Sequence, residues 1–112
     1  MKSRVTLPIP AIEALHKVGK DINTARRRRR ITIQLMAERT GLSRATVAKI
    51  EKGDQTASIG GYAAVLFVLG MTDRLSDLLD AAHELTDPQF VDEKLPKRVR
   101  LPSREKSSDT PE

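Results

Sequence analysis

Two short stretches with helical spacing of apolar residues, separated by a three-residue turn, most constrain what this 112-residue chain can fold into. Thr32 can cap a helix over 33–40, and Ser43 can cap a helix over 44–52. A glycine follows each helix, and the first of these, Gly41, supplies the left-handed backbone conformation that ends a helix and starts a turn. The sequence therefore predicts two short helices joined at a steep angle.

The side-chain types in this segment match helix-turn-helix geometry. Ala37 is small where the first helix of the pair must approach the second. Val47 and Ile50 lie three apart and predict an inward face for the second helix. This anchoring leaves one continuous outward face that has no acidic residue: Arg44, Ala45, Ala48, Lys49 and Lys52.

This outward face predicts contacts in the DNA major groove. There, Arg or Lys can donate to guanine O6 and N7, and an Ala or Thr methyl group can meet the thymine methyl. The predicted base contacts are Arg44, Ala45, Thr46 and Lys49. Hydroxyl and free N–H groups at helix N-termini, together with flanking cations, bind phosphates. The predicted phosphate contacts are Arg29, Arg30, Thr32, Gln34, Ser43 and Lys52.

The charge distribution agrees with a nucleic-acid surface. The formal net charge of +5 combines a segment over 17–53, with eleven basic and three acidic side chains, and a segment over 72–95, with two basic and seven acidic ones. A basic block on a folded segment attracts phosphates. A solvated face is the alternative for this basic block. Of the five arginines over 26–30, we expect two or three, including Arg29 and Arg30, to contact phosphates and the others to be solvated. A membrane-surface helix over 11–29 is disfavoured because it lacks Trp and Phe anchors.

Helical spacing extends on both sides of this segment. A first helix is expected over 11–29, either continuous or divided at Gly19 into two shorter helices. A fourth helix is expected between Ser58 and Gly70; since it is apolar nearly all round, we expect it at the centre of the domain, with Tyr62 and Phe67 in the core.

A fifth helix is expected to open at Thr72 or Asp73 and to end before residue 87. Its apolar stripe consists of Leu75, Leu78 and Leu79, opposite acidic residues on the solvent side. Phe90, beyond this helix, is a candidate for a dimer interface or a partner's pocket.

The resulting expectation is an all-α fold of five helices with a largely disordered C-terminal tail. Residues 1–10 form an N-terminal arm, 11–82 the domain, and 83–112 an extension whose last ten or so residues are disordered. Within the extension, basic and apolar residues alternate over 97–101 between prolines, which is compatible with a short edge β-strand or with a binding arm.

Several function classes are disfavoured. The chain has no cysteine, and its two histidines, His16 and His83, are far apart, so we expect neither a metal site nor a cofactor. No nucleophile–base pair or paired carboxylates indicate an enzyme. The longest apolar stretch, 63–69, is too short to span a bilayer, and no secretion signal is evident, so we expect a cytoplasmic, nucleoid-associated protein with no membrane partner.

The segments 42–53, 57–59 and 63–70 resemble the Xre or Cro-type helix-turn-helix regulators. The resemblance implies a five-helix, lambda-repressor-like domain that binds duplex operator DNA. Many members have Gln where this chain has Ile33, with Gln34 next to it. Within the family, 67–78 and 95–102 resemble the HipB-type antitoxins. That resemblance implies a homodimer that represses its own operon and holds a HipA-like Ser/Thr kinase toxin inactive.

A stand-alone regulator without a toxin is the alternative that the sequence leaves open. An interaction module that has lost DNA binding is disfavoured, because the basic outward face is intact.

Overall fold

Five helices form within residues 6–80 and 95–101, the parts of the chain that the computed structural model describes. They are α1 (Ile9–Arg28), α2 (Ile33–Thr40), α3 (Arg44–Glu51), α4 (Ile59–Leu69) and α5 (Thr72–Ser76). The described residues contain no strand, which confirms the all-α expectation for this part of the chain. The chain divides into two compact units, Met1–Leu78 and Leu79–Glu112, and all five helices belong to the first.

Three helices begin at the hydroxyl residues that the sequence indicated. The hydroxyls of Thr32 and Ser43 each accept a hydrogen bond from a backbone N–H three residues later, at 3.0 Å. Ser58 does the same at 2.9 Å. Gly41 and Gly70 end α2 and α4 with φ of 80° and 76°. These local signals set the ends of α2, α3 and α4 to within a residue of their predicted positions.

The first helix differs from expectation in two ways. It starts at Ile9 rather than at residue 11, because a proline in the first turn does not interrupt a helix. It also continues through Gly19, so the alternative of two shorter helices is wrong. A Cβ atom at Gly19 would lie 2.5 Å from the Gly53 nitrogen and 2.7 Å from the Glu51 carbonyl oxygen. The glycine thus lets the α1 backbone contact the end of α3.

The core lies where α1, α2, α3 and α4 meet. Its most completely buried side chains come from three helices: Met36 on α2, Val47 and Ile50 on α3, and Val65 on α4. Around them pack Ile22, Ala25, Ile31, Ala37, Tyr62 and Leu69. The inward face predicted for α3 is therefore confirmed, and α3 is fixed to the domain through its own apolar residues.

The expectation for α4 holds for Tyr62 and is wrong for Phe67. Tyr62, Val65 and Leu69 face the core, whereas 73% of Phe67 and 71% of Ile59 is exposed. A helix packed against neighbours on one side buries only that side, whatever residues occupy the other. Apolar residues all round α4 therefore place an apolar surface on the first unit.

The fifth helix is shorter than expected within the described residues. It ends at Ser76, because the Leu78 N–H bonds to the Leu75 carbonyl three residues back and tightens the turn. Leu75 is half-buried, but Leu78 and Leu79 are exposed, so the predicted leucine stripe does not pack as a unit. The part of that prediction beyond residue 80 lies outside the described residues.

In the second unit, residues 95–101 are exposed and form no strand, so the predicted edge strand over 97–101 is wrong. Prolines at 96 and 102 remove two backbone donors, and the described part of the chain supplies no partner strand. The expectations for Phe90, for His83 and for a disordered end fall outside the described residues. The boundaries 1–10, 11–82 and 83–112 stay predictions.

Candidate nucleic-acid interface

The outer side of α3 carries three of the four residues predicted to contact bases, and the fourth, Thr46, lies at its flank. Arg44, Ala45 and Lys49 are exposed, and Thr46 is half-buried. Their placement follows from the inward anchors of the helix, because Val47 and Ile50 have no exposed surface. The cations therefore stand at the two ends of this face, with small side chains between them.

Glu51, the acidic residue of α3, turns away from this face and toward α1. Its Oε2 accepts from Arg26 Nε at 2.6 Å, and its Oε1 accepts from Asn23 Nδ2 at 2.7 Å. Only 6% of the Glu51 side chain is exposed. The outward face of α3 consequently carries positive charge without a neighbouring carboxylate of the same helix.

The burial of Arg26 was not predicted from the sequence. Besides its bonds to Glu51, its Nη1 donates to the Ile31 carbonyl oxygen at 2.6 Å. The available signal was its register, since Arg26 lies one helical turn after the buried Ile22. Of the five consecutive arginines, Arg26 is therefore structural, and the other four are exposed.

Arg29 and Arg30, predicted to bind phosphates, lie in the turn between α1 and α2. Arg29 Nη1 donates to the Ala25 carbonyl oxygen at 2.8 Å and so satisfies an acceptor at the end of α1. Arg30 has a φ of 56°, a left-handed conformation that ends the helix. Thr32 follows directly as the cap of α2, so this turn combines exposed guanidinium groups with the N-terminus of a helix.

The first turns of α2 and α3 are linked by side chains. Gln34 Oε1 accepts from Arg44 Nη1 at 3.3 Å, which joins a predicted phosphate contact to a predicted base contact. Ser43 Oγ donates to Thr46 Oγ1 at 3.0 Å. Lys52 is the exposed C-cap residue of α3. The structure thus brings Gln34, Ser43 and Lys52 to the ends of α2 and α3, and places Arg29 and Arg30 at the preceding turn.

A second surface feature is an apolar groove of about 430 Å³ formed by α1, the loop after α3, α4 and α5. Its apolar lining includes Leu15, Val18, Ile59, Leu66, Leu75 and Leu78. None of the lining residues belongs to α2 or α3. The groove was not predicted from the sequence, because helical spacing does not show which apolar residues of α1 stay exposed, as 42% of Val18 does.

Tyr62 stands at the wall of the groove with its hydroxyl satisfied. The Tyr62 Oη donates to the Asp54 carbonyl oxygen at 2.8 Å. Burial, and secondly the negative charge of Asp54, raise the pKa of Tyr62 above its ordinary value. The ring therefore closes the core on this side and keeps its proton in the folded protein.

The helical domain of this chain matches a known protein family. The family described as a helix-turn-helix domain matches residues 19–87, more than half of the chain. The chain belongs to this helix-turn-helix domain family. The match begins within α1 and covers α2 to α5, so it contains the whole helix pair around Gly41. No curated protein and no solved structure matches the chain.

A helix-turn-helix domain places its second helix in the DNA major groove. In this chain that helix is α3, and membership of the family supports a DNA-binding regulator. Among the described residues, no helix combines the length and the apolar character needed to cross a membrane.

Proposed function

We propose that this protein is a sequence-specific transcriptional repressor that reads duplex operator DNA with α3. The observation that carries the proposal is the outward face of α3. It presents Arg44 and Lys49 around the small Ala45, while the carboxylate of Glu51 is buried against Arg26. A helix with this surface fits a groove lined by acceptors and methyl groups.

The contacts follow from the chemistry of each side chain. Arg44 and Lys49 donate to guanine acceptors, and the methyl groups of Ala45 and Thr46 meet thymine. The phosphate contacts that orient the domain come from the residues at helix ends and turns: Arg29, Arg30, Thr32, Gln34, Ser43 and Lys52. The free N–H groups in the first turns of α2 and α3 add neutral donors to these cations.

The DNA proposal is tested by selecting a preferred site from a random-sequence duplex pool and titrating variants against it. Arg44→Ala and Lys49→Ala should each cost about 1–3 kcal/mol on the selected site and relax the preference at one base position. Lys17→Ala is the control, because Lys17 is paired with Asp21 on α1 and is exposed. If both α3 variants bind the selected site as the wild type does, the assigned face is wrong.

The finer part of the proposal is that the protein is a homodimeric antitoxin that represses its own operon and neutralises a HipA-like kinase. Two features support it: the resemblance of 67–78 and 95–102 to HipB-type antitoxins, and the apolar groove. Since no lining residue belongs to α2 or α3, the groove stays open to a protein when α3 occupies DNA. The protein is accordingly proposed to act in the cytoplasm at the nucleoid.

The antitoxin proposal expects a HipA-like kinase gene next to the gene for this chain, and the partner is tested by co-expression with that kinase. The antitoxin proposal expects a stable complex and suppression of kinase toxicity. Ile59→Asp, in the groove, should weaken the complex, whereas Ala14→Asp, on exposed α1 surface outside the groove, should not; thermal melts confirm that both variants fold. A stand-alone regulator would repress its promoter and leave the kinase free. Sedimentation of the chain with a two-half-site duplex tests the dimer, which should span roughly 34 Å between half-sites.

A further inference from the structure

The side-chain amide of Gln34 lies between two charged groups at the helix-turn-helix. Its Oε1 accepts from Arg44 Nη1 at 3.3 Å, and its Nε2 donates to Glu38 Oε2 at 3.2 Å. Gln34 and Glu38 are one turn apart on α2, and Arg44 is the first residue of α3. These three side chains, which we call the Gln34 relay, form one line of hydrogen bonds across the turn.

The chemistry of the two ends fixes the orientation of the amide. A carboxylate only accepts hydrogen bonds and a guanidinium only donates them. With Nε2 directed at Glu38, Oε1 faces Arg44 and every contact pairs a donor with an acceptor. The flipped amide would place its donors against Arg44 and its oxygen against Glu38, so both contacts would be lost.

From this geometry we infer that Glu38 and Gln34 are positioning residues that set the base preference of Arg44. The inference rests on the proposed function, in which α3 reads DNA. An exposed arginine has many rotamers, and it loses that freedom when it engages a base. An acceptor that already holds one guanidinium nitrogen lowers this loss and favours one direction of approach to the groove.

Glu38 then has two effects of opposite sign on DNA binding. Its negative charge, close to the DNA-facing residues of α3, repels phosphates and weakens binding to every sequence. By accepting a hydrogen bond from Gln34, Glu38 orients the amide that contacts Arg44, and this improves discrimination between DNA sequences. A residue that only supported folding would change both quantities in the same direction.

The deciding variant is Glu38→Gln, which removes the charge and also removes one of the two groups that orient the Gln34 amide, since an amide at 38 can present either a donor or an acceptor. We expect tighter binding to a scrambled duplex and a ratio of selected-site to scrambled affinity lower by about two- to tenfold. In a Gln34→Ala background, Glu38→Gln should leave this ratio unchanged, because the relay is already broken.

The exchange Gln34→Glu with Glu38→Gln provides a rescue at constant net charge. The amide of residue 38 now donates to the carboxylate at 34, whose other oxygen accepts from Arg44. The hydrogen bond between residues 34 and 38 reverses, but Arg44 keeps an acceptor at residue 34, so the ratio should return to within about twofold of the wild-type ratio.

Nuclear magnetic resonance of the DNA-free protein keeps this inference separable from the proposed function. Glu38→Gln should shift the Gln34 side-chain amide and the Arg44 guanidinium signals, and the exchange variant should again show a hydrogen-bonded Arg44 guanidinium. Unchanged discrimination in Glu38→Gln, or an equal loss in the Gln34→Ala background, overturns the inference while leaving DNA reading intact. A wild-type protein that selects no sequence at all overturns both proposals.

Discussion

Arg26 of α1 and Glu51 of α3 form a buried ion pair, with 2.6 Å between Nε and Oε2 and 3.2 Å between Nη2 and Oε1. Their side chains are 11% and 6% exposed. The same guanidinium holds the Ile31 carbonyl at the start of the segment that leads into α2. One side chain therefore connects the ends of α1 and α3 with the beginning of α2.

Removing one partner of this pair should be costly. Glu51→Ala leaves Arg26 charged and buried without its carboxylate, and Asn23 also loses its acceptor, so we expect a loss of about 3–5 kcal/mol in the free energy of unfolding. Urea denaturation measures it. Asp21→Ala is the matched control, because its ion pair with Lys17 is exposed and should contribute at most about 1 kcal/mol.

Replacing both partners separates the cost of leaving one buried charge unpaired from the net contribution of the ion pair to stability. Arg26→Met with Glu51→Met removes both charges and should be less destabilising than Glu51→Ala alone. An equal effect of Glu51→Ala and Asp21→Ala would contradict the burial of the pair.

Gly19→Ala should lower the free energy of unfolding by about 1–3 kcal/mol or more, since 1–3 kcal/mol is the usual cost of overpacking. The added methyl group would meet backbone atoms of Glu51 and Gly53, which cannot rotate away as a side chain can. Gly60→Ala is the control: its methyl group would meet only the Ser58 hydroxyl, at 3.8 Å, so we expect a neutral or slightly stabilising change. Thermal melts compare the two, and equal melting temperatures would argue against close contact of α1 and α3.

The sequence predicted best those features that neighbouring residues determine. Thr32, Ser43 and Ser58 cap helices through bonds to backbone only three residues away, so their roles are visible in a short window. The exposure of Phe67 was not visible, because an all-apolar helix has no polar side to show which face is covered. Which side of such a helix is buried depends only on the elements that pack against it in the fold.

The residues of the candidate site also divide into those that a local sequence pattern predicts and those that it does not. The outward face of α3 follows from the spacing of Val47 and Ile50 within the helix itself. The selection of Arg26 from five consecutive arginines depends on Glu51, which is 25 residues away along the chain. No local pattern connects them, since the contact arises from the packing of α1 on α3.

Phe67→Ser should leave the free energy of unfolding within about 0.5 kcal/mol of the wild-type value, because the ring is largely exposed. Met36→Ala, at a site with no exposed surface, should cost about 2–5 kcal/mol. Chemical denaturation of both variants measures the difference. A large loss for Phe67→Ser would mean that the ring is covered in solution.

Tyr62 should make stability fall in alkaline solution. Its pKa is higher in the folded than in the unfolded state, so the folded state keeps the proton over the interval that begins near pH 10. The stabilisation is fully present below that pH and is lost as the pH rises through the folded-state pKa. Tyr62 is the sole tyrosine of the chain, so tyrosinate absorbance reports its titration directly.

The comparison variant is Tyr62→Phe. At neutral pH it should lose about 0.5–1.5 kcal/mol with the hydrogen bond to the Asp54 carbonyl. Above about pH 10 the free energy of unfolding of this variant should decline less steeply than that of the wild type, because phenylalanine has no hydroxyl proton to release on unfolding. Parallel declines would exclude Tyr62 as the source of the slope.

Arg29→Ala should weaken binding to all duplexes alike and lower the slope of log affinity against log salt by about one. The reason is that a phosphate contact carries no sequence information. Lys17→Ala is the control, since its charge is paired with Asp21. A changed base preference in Arg29→Ala, with the salt slope unaltered, would assign this arginine to base reading instead.

The anchoring of α3 through Val47, Ile50 and Glu51 leaves its exposed residues free of any part in the core. Under the proposed function, operator preference and thermodynamic stability are therefore encoded by different positions of one eight-residue helix. On the same proposal, duplicated copies of such a gene can diverge toward new operators by exchanging residues such as 45 and 49 without first acquiring compensating changes in the interior. The same separation makes this helix a convenient scaffold on which to graft altered DNA recognition.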